Sequence, residues 1–144
     1  LIQKRWDEHI RNQKGQTGTV GVVAIDKNGH INAGTSTGGI GGEIPGRVSD
    51  SPTVAGNFAN RFAGISATGI GEQIVNSGAA VKIATRVEDG LPLKNAVDLV
   101  LKDAQSNNYK FGVISISYKG EIYVEKTTDS IFYAWTDGEK IDVF

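Results

Sequence analysis

Gly18-Thr19-Val20-Gly21-Val22-Val23-Ala24-Ile25-Asp26-Lys27-Asn28-Gly29 is the stretch on which the reading of this chain turns. Thr19 to Ile25 is an apolar run rich in β-branched residues, and Asp26-Lys27-Asn28-Gly29 closes it. Asn-Gly supplies the positive φ of a tight turn, so the stretch predicts a β-hairpin with a return strand over His30–Thr37. The first strand is apolar at nearly every position, which leads us to expect burial on both faces, in a sheet between two layers. Thr19 opens that strand. One reading is packing alone, a β-branched residue at a strand start. The other is chemical. If the Gly18–Thr19 bond were cut, Thr19 would carry a hydroxyl and a free α-amine, a nucleophile and its base on one residue. An α-amine ordinarily titrates at about 7.7–8.0, near neutral pH, where a general base is most useful.

Outward from the hairpin, the chain divides in two. Residues 1–18 have the character of a tail or linker. Leu1 to Ile10 reads as a short helix with Ile2, Trp6 and Ile10 on one side, and Arg11 to Gly18 as a polar, glycine-containing stretch suited to cleavage. Residues 19–144 read as the functional unit. After the hairpin, residues 38–57 form a glycine- and proline-rich loop, and Ala63–Thr68 a short strand ending in Gly69-Ile70-Gly71. Glu72 to about Val87 reads as one helix, weakened by Gly78. Leu93 to about Ala104 is a clearer helix, with Ala96, Val97, Val100, Leu101 and Ala104 on one stripe. Strands follow at Phe111–Ser117, Glu121–Lys126 and near Ile131–Trp135. Strands and helices in separate blocks predict an α+β layered domain with a mainly antiparallel sheet.

Composition bounds the function. The chain has 144 residues, 39% apolar and 22% charged, which fits one globular domain rather than a disordered chain. A net charge of −1 argues against general affinity for nucleic acid or anionic membranes. No apolar run approaches the roughly 20 residues that cross a bilayer. The absence of cysteine excludes disulfides and thiolate catalysis and fits a reducing, cytoplasmic setting. The absence of methionine leads us to expect that Leu1 is an internal or processed residue of a longer product.

Three further blocks carry possible chemistry. Thr35-Ser36-Thr37-Gly38-Gly39 ends a strand in hydroxyls and then glycines, where backbone N–H groups become available; it also reads as a polar strand end with a turn. Pro45-Gly46-Arg47-Val48-Ser49-Asp50-Ser51-Pro52 places Arg47 and Asp50 in one loop. An arginine binds a carboxylate through two parallel hydrogen bonds and an aspartate binds an ammonium, so the two could hold a free amino acid. The alternative is a mutual ion pair, with Asp50 capping a turn. In Ala67-Thr68-Gly69-Ile70-Gly71-Glu72 a strand passes through glycine to a helix. The Gly69 amide and the Thr68 hydroxyl could stabilise an oxyanion there; a tight turn with Glu72 favoured in the first helical turn is the plainer account. His9 and His30 have no metal-ligand spacing partner. Trp6 and Trp135 read as packing residues.

The order and spacing of these blocks are more specific than any one of them. Gly-Thr-Val-Gly-Val-Val-Ala-Ile-Asp, Thr-Ser-Thr-Gly-Gly, Gly-Arg-Val-Ser-Asp-Ser-Pro and Ala-Thr-Gly-Ile-Gly-Glu together resemble the β-subunit of plant-type L-asparaginases, or isoaspartyl peptidases, which are N-terminal nucleophile hydrolases. The resemblance covers about residues 18 to 136 and is shared in large part with glycosylasparaginase; Gly18 and Trp135 look more like the asparaginase branch. It implies autocleavage between Gly18 and Thr19 and attack by Thr19 on a side-chain amide. Thr37 would bond near the Thr19 hydroxyl, and Thr68 and Gly69 would form the oxyanion hole. Arg47 would hold the substrate α-carboxylate and Asp50 its α-amine, with Gly71 lining the pocket. No cofactor is required for this chemistry and no metal ligand is assigned in this chain; the alkali cation of related enzymes is held in a loop of the α-subunit. Residues 1–18 would be the tail of an α-subunit. The partners would be that α-subunit, in an (αβ)2 assembly, and L-asparagine or a β-aspartyl dipeptide. The fold would be a four-layer αββα sandwich of which this chain supplies about half.

The chain departs from the family pattern at three points. Ser49 stands where glycine is usual, and if that position needs φ > 0 the serine is strained. Phe111-Gly112 stands for Gly-Gly, and Ile70 for a position that is often histidine. Two rival readings remain at the level of sequence. One is a glycosylasparaginase; the other is an uncleaved homologue that binds an amino acid through Arg47 and Asp50 without turning it over.

Overall fold

The computed structural model describes residues 18–144. The helix expected near residues 1–10 lies outside these, as do His9 and Trp6. Strands β1 (Thr19–Ile25) and β2 (Ile31–Thr37) form the predicted hairpin, a two-stranded antiparallel sheet in register from Thr19 opposite Thr37 to Ile25 opposite Ile31. Its turn is held by Asp26: the Asp26 N–H donates to His30 O at 2.9 Å and the Gly29 N–H to Asp26 O at 3.0 Å. Gly29 adopts φ 83°, the left-handed conformation that glycine enters without strain. His30 Nδ1 lies 3.0 Å from Asp26 Oδ2 on the surface.

A four-stranded antiparallel sheet follows, in the order β3 (Asn57–Ala59), β4 (Ala63–Gly69), β5 (Phe111–Ser117), β6 (Ile122–Lys126). Strand β3 was not foreseen; it ends the loop expected over 38–57. The face of this four-stranded sheet toward the helices carries Ala63, Ile65 and Ala67 from β4 and Phe111 and Val113 from β5, all buried. The helices expected as one over 72–87 are two, α1 (Gly71–Ser77) and α2 (Ala79–Glu88), broken at Gly78. Gly78 sits at φ 60°, ψ 38°, a left-handed residue that cannot continue a helix and caps the first one through its N–H. Helix α3 (Leu93–Ser106) buries Leu93, Ala96, Val97, Val100, Leu101 and Ala104, the stripe read from its periodicity. Helix α2 packs on β3 and β4, and α3 on β5 and β6. A polar tie fixes α3 to β6: Lys94 Nζ donates to Asp98 Oδ2 at 2.7 Å and to Tyr123 Oη at 2.9 Å.

The hairpin packs on the opposite face of the large sheet, so the described residues form three layers: helices, four-stranded sheet, two-stranded sheet. The two sheets meet through glycine. A Cβ on Gly21 would collide with the Ser66 side chain, and one on Gly64 would come within 2.7 Å of Ile31 Cγ2. The expected burial of β1 on both faces is corrected here. Thr19, Gly21, Val23 and Ile25 turn inward, while Val20 is 73% and Val22 59% exposed. The reason is that the described residues place a layer against only one side of this hairpin. A final hairpin, β7 (Ala134–Thr136) with β8 (Ile141–Val143), replaces the single late strand expected near 131–135.

Phe111 is fully buried and is the largest such side chain. Replacing it with alanine in the full-length protein is expected to cost about 3–5 kcal/mol of unfolding free energy. A urea midpoint within error of wild type would overturn the assignment of this residue to the core.

Candidate active site

Thr19 is the first residue of β1 and Thr37 the last of β2, and the antiparallel register sets them directly opposite. Opposed residues share a face, and here it is the inward one. The Thr19 hydroxyl donates to Thr37 Oγ1 at 3.2 Å. Thr37 Oγ1 also accepts from the Gly39 N–H at 3.1 Å, which ties the start of the glycine loop to the same hydroxyl. Gly18 is exposed, and its Cα has open space on the side where a Cβ would stand.

Thr68 lies near the end of β4, on the face turned toward the hairpin. Side chains alternate along a strand, and Ile65 and Ala67 belong to the helix side. Thr19, Gly21, Ser66 and Thr68 line one open cavity of about 90 Å³, together with residues from Ile131 to Ala134. Below them Thr35 Oγ1 and Ser66 Oγ are 2.8 Å apart, a bond between the two sheets. Gly69 has φ 146°, and a Cβ there would lie 2.6 Å from Phe111 Cα. No other residue fits this position without displacing β5. The Ile70 N–H then donates to Lys110 O at 3.0 Å, which fixes the turn into α1. Phe111 is the core residue against which this turn rests.

Arg47, Asp50 and Gly71 converge at the start of α1. A Cβ on Gly71 would lie 2.7 Å from Ser49 Oγ, 2.8 Å from Asp50 Oδ1 and 3.3 Å from Arg47 Nη2. The absent side chain leaves the space around which the three groups gather. The mutual Arg47–Asp50 ion pair allowed by the sequence is not formed. Arg47 Nε donates instead to Glu72 Oε1 at 2.6 Å, and Arg47 Nη1 lies 3.7 Å from Glu43 Oε1. The hydrogen bond from Arg47 holds Glu72 below the usual carboxylate range and raises the guanidinium in return. Arg47 Nη2 and Asp50 Oδ2 are buried with no hydrogen-bond partner. Asp50 is 4% exposed. A buried carboxylate oxygen and a buried guanidinium nitrogen without partners are costly; Arg47 Nη2 faces the Gly71 space, whereas Asp50 Oδ2 stands against Gly56, where a Cβ would collide with it.

Asp50 caps its turn through the main chain: the Thr53 N–H and hydroxyl donate to Asp50 O at 2.8 and 2.7 Å. The strain anticipated at Ser49 does not occur. Among the described residues only Asn108 outside glycine has positive φ. Ser49 donates its hydroxyl hydrogen to Asp50 Oδ1 at 2.8 Å.

The structure thus gathers Thr19, Thr37 and Thr68 at one point and Arg47, Asp50 and Gly71 at another. Gly69 and Ile70 are the link between them. Glu72 as the partner of Arg47, and Ser66 as the bridge between sheets, were not singled out from sequence. Glu72 was visible only as a first-turn acid, and Ser66 only as a strand residue. Among the described residues no group of three or more His, Asp or Glu is placed to hold a metal ion, and no helix is long and apolar enough to cross a membrane.

The family model described as "Asparaginase" matches residues 2–144. The chain is 47% identical over 128 residues to an isoaspartyl peptidase/L-asparaginase of Synechocystis, covering 89% of this chain and 39% of that protein. It is 46% identical over 134 residues to a protein of the same name from Nostoc, covering 93% and 42%. It is 38% identical over 128 residues to the isoaspartyl peptidase of Escherichia coli, covering 86% and 40%. The chain spans about two fifths of the length of these curated relatives. Match and site motifs run along the same residues, and the chain belongs to the asparaginase family of N-terminal nucleophile hydrolases.

Proposed function

We propose that residues 19–144 are the catalytic β-subunit of an amidohydrolase that acts on L-asparagine or β-aspartyl dipeptides, and that residues 1–18 are the end of its α-subunit. The observation that carries this reading is the placement of Thr19 and Thr68 on facing sheets around one cavity. The names of the relatives, which join isoaspartyl peptidase with L-asparaginase, support the substrate class.

Cleavage of Gly18–Thr19 gives Thr19 a free α-amine. That amine takes the proton of the Thr19 hydroxyl as Oγ1 attacks the substrate side-chain amide carbon. Thr37, already bonded to Thr19 Oγ1, orients the hydroxyl. The negative charge that develops on the amide oxygen is met by the Thr68 hydroxyl and the Gly69 N–H. The ammonium formed on Thr19 returns its proton to the leaving nitrogen, and ammonia or an amino acid departs. A β-aspartyl ester remains on Thr19, and water activated by the same amine hydrolyses it. Arg47 binds the substrate α-carboxylate and Asp50 its α-ammonium, with the substrate backbone in the space left by Gly71.

The uncovered face of β1 and β2, where Val20 and Val22 stand exposed, supports a further layer supplied by the α-subunit. The whole is then a four-layer αββα sandwich, assembled as (αβ)2. A cytoplasmic location belongs to the same reading and rests on the absence of cysteine.

Three outcomes follow for the full-length protein. Thr19→Ala is expected to abolish both self-cleavage and turnover; full hydrolysis by this variant, or no wild-type fragment beginning at Thr19 by intact mass, would sink the mechanism. Because the α-amine must be neutral to act as base, kcat/KM is expected to rise with pH through about 7.7–8.0 and level off above. A rate that falls over that range would contradict the assignment. Thr68→Val is expected to lower kcat about 10²–10³-fold with KM little changed. Comparing L-asparagine, a β-aspartyl dipeptide and a glycosylated asparagine as substrates separates this enzyme from a glycosylasparaginase.

A further inference from the structure

The clamp contains a hydroxyl that the mechanism above does not use. Ser49 Oγ donates to Asp50 Oδ1 at 2.8 Å. It also stands 2.7 Å from the point where a Gly71 Cβ would be, beside Asp50 Oδ1 at 2.8 Å and Arg47 Nη2 at 3.3 Å. Carboxylate, guanidinium and hydroxyl therefore face one space. A serine hydroxyl has one hydrogen and two lone pairs. With its hydrogen committed to Asp50, Ser49 Oγ offers only acceptor capacity to that space. Asp50 is 4% exposed, so the field of its carboxylate is little screened by solvent.

We propose that Ser49 is a specificity residue: its Oγ accepts a hydrogen bond from the substrate α-ammonium alongside Asp50. The proposal rests on the amino-acid clamp reading of Arg47 and Asp50. An ammonium has three hydrogens and no acceptor, which matches a corner made of a carboxylate oxygen and a hydroxyl whose hydrogen is engaged. A ligand with hydrogen in place of the ammonium leaves Ser49 Oγ without a donor, and the bond from Ser49 holds the Asp50 carboxylate in one orientation. The hydroxyl thus selects ligands at the α-nitrogen and leaves recognition of the α-carboxylate to Arg47.

The test uses the processed enzyme produced together with its α-subunit. Binding of L-aspartate, the reaction product, and of succinate, the same carbon chain without the amine, is measured by calorimetry. Wild type, Ser49→Ala and Asp50→Asn are compared. Ser49→Ala is expected to weaken L-aspartate about tenfold and to leave succinate within about twofold. The KM for L-asparagine should rise by a similar factor while kcat stays within about twofold. Unchanged L-aspartate affinity in Ser49→Ala overturns the proposal, as does an equal loss for both ligands, which marks a disturbed loop. If Asp50→Asn fails to weaken L-aspartate, the clamp reading itself falls and the role of Ser49 falls with it.

Discussion

The close approach of the two sheets is the constraint on which the site depends. Gly21 on β1 stands over Ser66, and Gly64 on β4 lies under Ile31. Side chains at either glycine would hold the sheets apart. With the sheets in contact, Thr19 is two residues from Gly21 and Thr68 two from Ser66, so both threonines turn into the intersheet space. The alternation of side chains leaves no tolerance here. A register slip of one residue would turn Thr19 to solvent and Val20 inward. The Thr35–Ser66 bond ties the two sheets together, while the Thr19–Thr37 bond lies within the hairpin and ties its two strands at their open end.

The surroundings of Arg47 follow a different principle, the placement of unmet charge. Arg47 is held from one side by Glu72, and that pair is set by chain geometry, because Glu72 follows Gly71 in the first turn of α1. Glu72 is 58% exposed, so the pair contributes little to stability in solvent. Its consequence is directional: with Nε engaged by Glu72, Nη2 points into the space at Gly71 without a partner. The lowered pKa of Glu72 means that the pair is intact at neutral pH. It is lost only as pH falls through the folded value, below the ordinary Glu range near about 4.3.

Two elements were legible in the sequence: the hairpin from Thr19 to Thr37, from its β-branched apolar run and Asn28-Gly29, and α3, from its apolar stripe. What escaped had tertiary causes. Gly78 is only a weak helix residue by propensity, and whether it bends or breaks a helix depends on the docking of α2 against β3 and β4. Strands β3 and β8 have three residues each, too few to show a period, and exist because a neighbour offers backbone partners. Within the site, the blocks around Thr19, Thr37, Arg47 and Thr68 could be located because hydroxyls, charges and glycines fall at strand ends. The engagement of Arg47 by Glu72 could not, since 25 residues of loop and strand separate them. The φ of Ser49 was equally hidden: a loop's backbone angles follow from its closure, here around the main-chain bonds to Asp50 O.

The strand that carries Thr19 is also the one whose back is bare. Helices cover one face of the large sheet and the hairpin covers the other, but Val20 and Val22 have no covering layer among the described residues. Burying a valine side chain contributes about 1.5–3 kcal/mol, so a layer seated on this face would hold β1 against β4 more firmly than the Thr35–Ser66 bond can alone. That links the site's geometry to assembly. Thr19 and Thr68 sit on different sheets, and the distance between them is fixed by whatever presses the sheets together. A layer seated on this face would therefore set how far the Thr19 hydroxyl stands from the Thr68–Gly69 corner.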